Sequence, residues 1–153
     1  GALNEALLNI NYFYTREIRE SVERALTTLD EREEELLLEQ AVDLYRAPYL
    51  QNIEMPWVVE RRDQLRQLYA QALISMGRIQ KRRSNDQGAL GFFTRALKET
   101  PEREDIHREV MGTYLKLGMA DDARAQYRHL EQILKEKFGI GPSRESRDLH
   151  ELI

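Results

Sequence analysis

Apolar residues recur at spacings of three and four along most of this chain, and the interruptions divide it into helical segments. Ile18, Val22, Ala25 and Leu26 share such a stripe behind Thr15, a residue type that caps helices, which predicts a helix from about Phe13 to Leu29. Asp30 is the next cap, with Glu33 in the capping-box position and Leu36, Leu37, Ala41 and Leu44 on one face, so a second helix should end near Tyr45. Arg46 to Met55, with Pro48, reads as a turn region. Pro56 suits the first position of a long helix to about Arg83, with Trp57, Leu65, Leu68, Tyr69, Ala72, Leu73, Met76 and Ile79 as its apolar face. Asn85 or Asp86 caps the next, which stops at Thr100-Pro101 because a residue before proline is pushed out of the α region. Glu102 to Leu117, closed by Gly118, follows; Asp121 opens a helix that Gly139-Ile140-Gly141-Pro142 ends, and Ser143 caps a last one running towards Ile153. Only Leu8 to Tyr12 departs from this rhythm, alternating apolar and polar residues as a half-buried strand does.

Within the helical pattern lies a repeat. Ala89, Phe93, Ala96 and Pro101 have the small, aromatic, small, proline spacing of a tetratricopeptide second helix, and Ala123, Tyr127 and Leu130 repeat the first three positions 34 residues later. Small residues let helices approach closely, and Phe93 fills the space between hairpins; Gly77 occupies the matching close-contact position on the preceding helix. The copies are degenerate, with Gln80 where Tyr114 stands in the second copy and Leu130 in place of a small residue. The expected fold is all-α: a tetratricopeptide-like array of antiparallel helical hairpins with about seven helices. An ordinary bundle with alanines in chance register is the plainer alternative.

Composition agrees, being poor in proline and glycine and rich in Leu, Glu, Arg, Ala and Gln. Cysteine is absent, which removes disulfides and thiolate chemistry and fits a reducing compartment, so the cytoplasm is the expected location. The longest apolar runs, such as Leu36-Leu37-Leu38, fall far short of a bilayer span, so no membrane contact is expected. The net charge of −4 argues against this chain gripping a nucleic-acid backbone alone. That charge is uneven: residues 1–55 carry −7, residues 56–83 carry +5 and residues 84–153 carry −2.

Candidate chemistry is sparse. His107, His129 and His150 are 22 and 21 residues apart and lack the pairing of a helical metal site, so surface or packing roles are the better reading. Gly88-Ala89-Leu90-Gly91 lies inside a helix and lacks the strand and the lysine of a phosphate loop. The acids of Glu33-Glu34-Glu35 and Asp121-Asp122 fall in first turns, where they complement the helix dipole. Trp57 is read as a buried anchor. With no convergent nucleophile, base and electrophile, neither an enzyme nor a cofactor is expected. What remains is basic. Ile74, Arg78, Lys81 and Arg82 from the first repeat, with Arg108 and Lys116 from the second, align with first-helix positions that face the concave groove of such arrays. They outline a candidate recess for an acidic peptide or carboxylate partner, against the plainer reading of cations that complement a helix C-terminus.

More specific strings carry a family resemblance. Leu44-Tyr45-Arg46-Ala47-Pro48-Tyr49-Leu50, Pro56-Trp57 with Arg62, Leu65 and Tyr69, and Phe138-Gly139-Ile140-Gly141-Pro142-Ser143 with Glu145 together resemble the bacterial transcriptional activator domain (BTAD) of SARP-type regulators and some response regulators. The resemblance covers about residues 12 to 153. It departs from the usual pattern at Ala47 (glycine), Arg61 (an acid) and Phe138 (leucine), positions of turn geometry and packing. The resemblance implies a bundle of tetratricopeptide-like helices over residues 13–153 and a winged-helix DNA-binding domain before it, of which residues 1–12 would be the remnant or linker. It implies a regulatory domain that contacts a protein partner: the transcription machinery, its own DNA-binding domain, or itself as a homodimer. DNA would be bound only through the missing N-terminal domain. A tetratricopeptide adaptor unrelated to transcription is the alternative.

Overall fold

No glycine or proline interrupts the stretch from Ala2 to Thr27, and it forms one helix, α1 (Ala2–Thr27). The segment expected as a strand, Leu8 to Tyr12, is therefore helical, and Thr15 is a buried residue in mid-helix rather than a cap. Five alternating residues are too few to outweigh a helix that is uninterrupted on both sides. Among the described residues six more helices follow: α2 (Glu31–Tyr45), α3 (Pro56–Arg82), α4 (Asp86–Glu99), α5 (Glu104–Lys116), α6 (Ala120–Phe138) and α7 (Arg144–Glu151). The structure, a computed structural model, describes residues 1–46 and 56–153, without the side chains at positions 4, 7, 8, 10, 11 and 56–60. Among the described residues there is no strand, and the architecture is the tetratricopeptide-like all-α array. The Pro48 turn and the anchor role of Trp57 lie outside what is described.

Two units make up the chain, Gly1–Met76 and Gly77–Ile153. In the first, α1 packs against α2. Ile18, Val22 and Ala25 of α1, Leu37, Leu38, Ala41 and Val42 of α2, and Leu65, Ala70, Ala72 and Leu73 of α3 are buried. Tyr45 stacks on Tyr69 with ring centroids 4.1 Å apart. Two positions expected on apolar faces, Leu26 and Leu36, are exposed instead, since each lies one step round the helix from the buried set. Asp30 caps α2 as expected, accepting from the Arg32 and Glu33 amides. Glu33 does not complete the capping box. Its carboxylate accepts from the Thr28 hydroxyl at 3.0 Å and faces Arg24 at 3.4 Å, tying the α1–α2 connection to α2.

The second unit contains the repeat. Asn85 caps α4 by accepting from the Gly88 amide, and Ser143 caps α7 by accepting from the Ser146 amide. Asp121, expected to open α6, instead lies in its first turn and pairs with Arg124 at 2.8 Å. Ala89, Phe93, Ala96, Ala123 and Leu130 are all fully buried, so the repeat positions are the core of the stacked hairpins. α4 packs on α5 and α5 on α6. Gly139 ends α6 in the left-handed region at φ 65°, with its amide and that of Ile140 returning to Lys135 and Leu134, the closure that glycine adopts without a Cβ penalty.

Candidate partner-binding site

The six positions expected to line a groove have different surroundings. Ile74 belongs to the first unit and is a core residue, 1% exposed. The other five lie in the second unit. Lys81, on α3, forms an ion pair with Glu109 of α5 at 3.1 Å. Arg108, on α5, reaches α7: its guanidinium donates to the Ser146 hydroxyl at 3.0 Å and lies 3.2 Å from the Glu145 carboxylate. Lys81 and Arg108 therefore use charge to join helices of the unit. Arg78, Arg82 and Lys116 are exposed and form the outward cationic positions of α3 and α5.

Arg108 is part of a clasp that the sequence reading missed. Glu104, one turn before it on α5, accepts from the Ser143 amide at 2.9 Å and from the Ser146 hydroxyl at 2.7 Å, while Arg108 lies 3.9 Å away. Partial burial alone pushes the Glu104 carboxyl up, but the Ser143 amide, the two serine hydroxyls and the Arg108 charge together hold it below the usual carboxylate value. The clasp anchors the short helix α7, whose eight residues could not persist as an isolated helix. On its other side α7 meets α6, where His150 stacks on Tyr127 at 3.9 Å and Arg124 donates to the Ile153 carbonyl at 3.1 Å. The one sequence signal was Ser143 followed by Glu145; nothing marked Glu104 as their partner. Glu104→Ala should remove about 1.5–3 kcal/mol of docking free energy, the usual range for hydrogen bonds to a charged group. Faster hydrogen exchange at the α7 amides, with α4 unaffected, is the expected reading.

His107 takes the packing role expected from its spacing. It is fully buried. Its Nε2 lies 2.7 Å from the Pro101 carbonyl, which can only accept, and its Nδ1 lies 2.7 Å from the Gln126 amide nitrogen, which can only donate. Those partners select the neutral Nε2–H tautomer. Burial pushes its pKa below the ordinary 6.5, and nearby His129 adds to that, against the Pro101 hydrogen bond and the charges of Glu104 and Asp105. The histidine thus ties the α4–α5 turn to α6, a packing role.

Among the described residues no group of histidines and acids could hold a metal ion, and no helix is long and apolar enough to cross a membrane. What the second unit offers is a helical surface with outward cations. A family model described as the bacterial transcriptional activator domain matches residues 14–153. The C-terminal tetratricopeptide-containing domain of a Plasmodium falciparum FK506-binding protein superimposes with a TM-score of 0.67, covering 93% of this chain and 89% of that one at 8% identity, a likeness of fold alone. No curated protein matches the chain in sequence. A degenerate hairpin array closed by the Gly139-to-Ser143 turn, matched almost end to end by one family model, places this chain in the bacterial transcriptional activator domain family.

Proposed function

We propose that the chain is the regulatory, protein-interaction part of a cytoplasmic bacterial transcriptional activator and is not itself an enzyme. The observation that supports this most is the family match across the whole hairpin array. Regulatory and scaffolding roles are what this family and this fold serve, and an array of stacked hairpins offers extended surface without convergent catalytic groups. On this reading residues 1–12 lead from a winged-helix domain that carries all contact with DNA. The hairpins would contact the transcription machinery, that DNA-binding domain or a second copy of the chain.

The contact surface in this proposal is the cationic set first outlined by Ile74, Arg78, Lys81, Arg82, Arg108 and Lys116, of which Arg78, Lys81, Arg82 and Lys116 are exposed. An acidic segment would be held there by charge-assisted hydrogen bonds. Arg78→Glu combined with Arg82→Glu in the full-length regulator is expected to lower transcription from its promoter several-fold, while thermal unfolding and promoter affinity stay unchanged. Unaltered transcription would remove this surface from the proposal. Light scattering on the same pair separates the partners, since loss of a dimer identifies the second copy. An adaptor role outside transcription predicts no promoter effect from any of these changes.

A further inference from the structure

The first unit contains a recess of about 560 Å³, a size typical of small-molecule sites. Arg16 and Arg19 of α1 and Arg61 of α3 line it, and among the described residues no carboxylate does. Tyr12, Arg16 and Arg19 are four and three residues apart, so they share one face of α1. The Arg61 guanidinium lies over the Tyr12 ring, 3.4 Å from its centroid, and its Nη1 is withdrawn from solvent with no hydrogen-bond acceptor among the described residues. Among the described residues none of these three arginines has an ion-pair partner. That is unexpected in context. Residues 1–55 carry a net charge of −7, yet among the described residues no carboxylate lines the recess that these three guanidinium groups share. Like charges gathered in a concavity repel, and an incoming anion relieves that repulsion.

We propose that this recess binds a small organic anion: a carboxylate or phosphate group on a flat aromatic body. The planar guanidinium forks of Arg16, Arg19 and Arg61 hold the acid group, since their geometry matches carboxylate and phosphate oxygens two at a time. Tyr12 and Phe13, each about half exposed at 53% and 49%, flank the apolar body. The occupied recess would bridge α1 and α3.

Calorimetric titration of the whole chain at low salt tests this, with naphthoate as the carboxylate probe and adenosine monophosphate as the phosphate probe. At least one should saturate at one per chain, and the tighter of the two identifies the acid group. The uncharged counterparts, naphthylmethanol and adenosine, should not compete. Arg61→Gln and Arg16→Gln should each weaken binding about tenfold, the scale of one lost charge-assisted contact, with exposed Lys98→Gln on α4 as an unaffected control. Arg16→Lys preserves charge and helix but not the fork, so it should keep the wild-type circular dichroism and still lose several-fold. Failure of both probes to saturate, or affinity unchanged in Arg61→Gln, would overturn the proposal. Saturation by an acidic peptide or duplex DNA at lower concentration than either probe would also overturn it, in favour of a macromolecular partner.

Discussion

Replacing Phe93 by alanine is expected to cost about 3–5 kcal/mol, the largest loss of any single truncation considered for this chain. The ring is fully buried at the centre of the second unit, between the alanines of α4 and the end of α3. Its fit depends on Gly77. A Cβ built at Gly77 would lie 2.6 Å from Phe93 Cε1 and 2.9 Å from Cδ1, closer than real contacts allow. Gly77→Ala should therefore cost about 1–3 kcal/mol in overpacking, less the roughly 0.5–1 kcal/mol that alanine gains over glycine inside a helix. The sign should change once the ring is gone. In a Phe93→Ala background, Gly77→Ala should stabilise by up to about 1 kcal/mol, because only the helix preference remains and the new methyl enters the cavity. Urea unfolding of the four proteins in the cycle measures this. Strict additivity would mean that the two residues do not share a packing site.

That pair also marks how far the sequence could be read. Positions 77, 89, 93 and 96 were legible because close helix approach needs small residues at fixed spacing, and the pattern of the last three returns in degenerate form 34 residues on at Ala123, Tyr127 and Leu130. Caps at Asp30, Asn85 and Ser143 were legible for the same reason, since each is a local rule linking one side chain to an amide two or three residues ahead. Residues whose partners are distant in sequence were not. Arg108 was correctly put on a first helix of a hairpin, but its use depends on α7, which returns Glu145 and Ser146 to it from 37 and 38 positions away. For His107 a surface or packing role is legible from its spacing, but the partners that give it that role, a backbone carbonyl and an amide from another helix, are not. The Leu8-to-Tyr12 error has another cause: a period-two pattern five residues long carries less information than the absence of any breaker from Ala2 to Thr27.

Lowering the pH from about 7.5 into the region just below 6.5 should destabilise the second unit, well before its carboxylates titrate. His107 is held neutral when folded, with its pKa below 6.5, and it regains its ordinary value on unfolding. Between those two values the unfolded chain binds more protons than the folded one. Stability from this group is therefore complete above 6.5 and is lost as pH falls towards the folded pKa, with a limiting slope of about 1.4 kcal/mol per pH unit for one proton. The physical cost is specific. A second ring proton would meet the Gln126 amide nitrogen at 2.7 Å, a donor facing a donor, so the amide must rotate or the contact must break. Glu104 and Asp105, both held below their ordinary values of 4.5 and 3.8, lose their contributions in a separate and more acidic window by the same sign of linkage. His107→Gln should be less stable than the parent at about pH 7.5 by about 1–3 kcal/mol, because one of two buried hydrogen bonds is lost. It should also show no slope just below 6.5 while retaining the carboxylate transition. A parent protein whose unfolding free energy stays flat through that first window would contradict the neutral, doubly hydrogen-bonded histidine, and so would a slope that persists in His107→Gln.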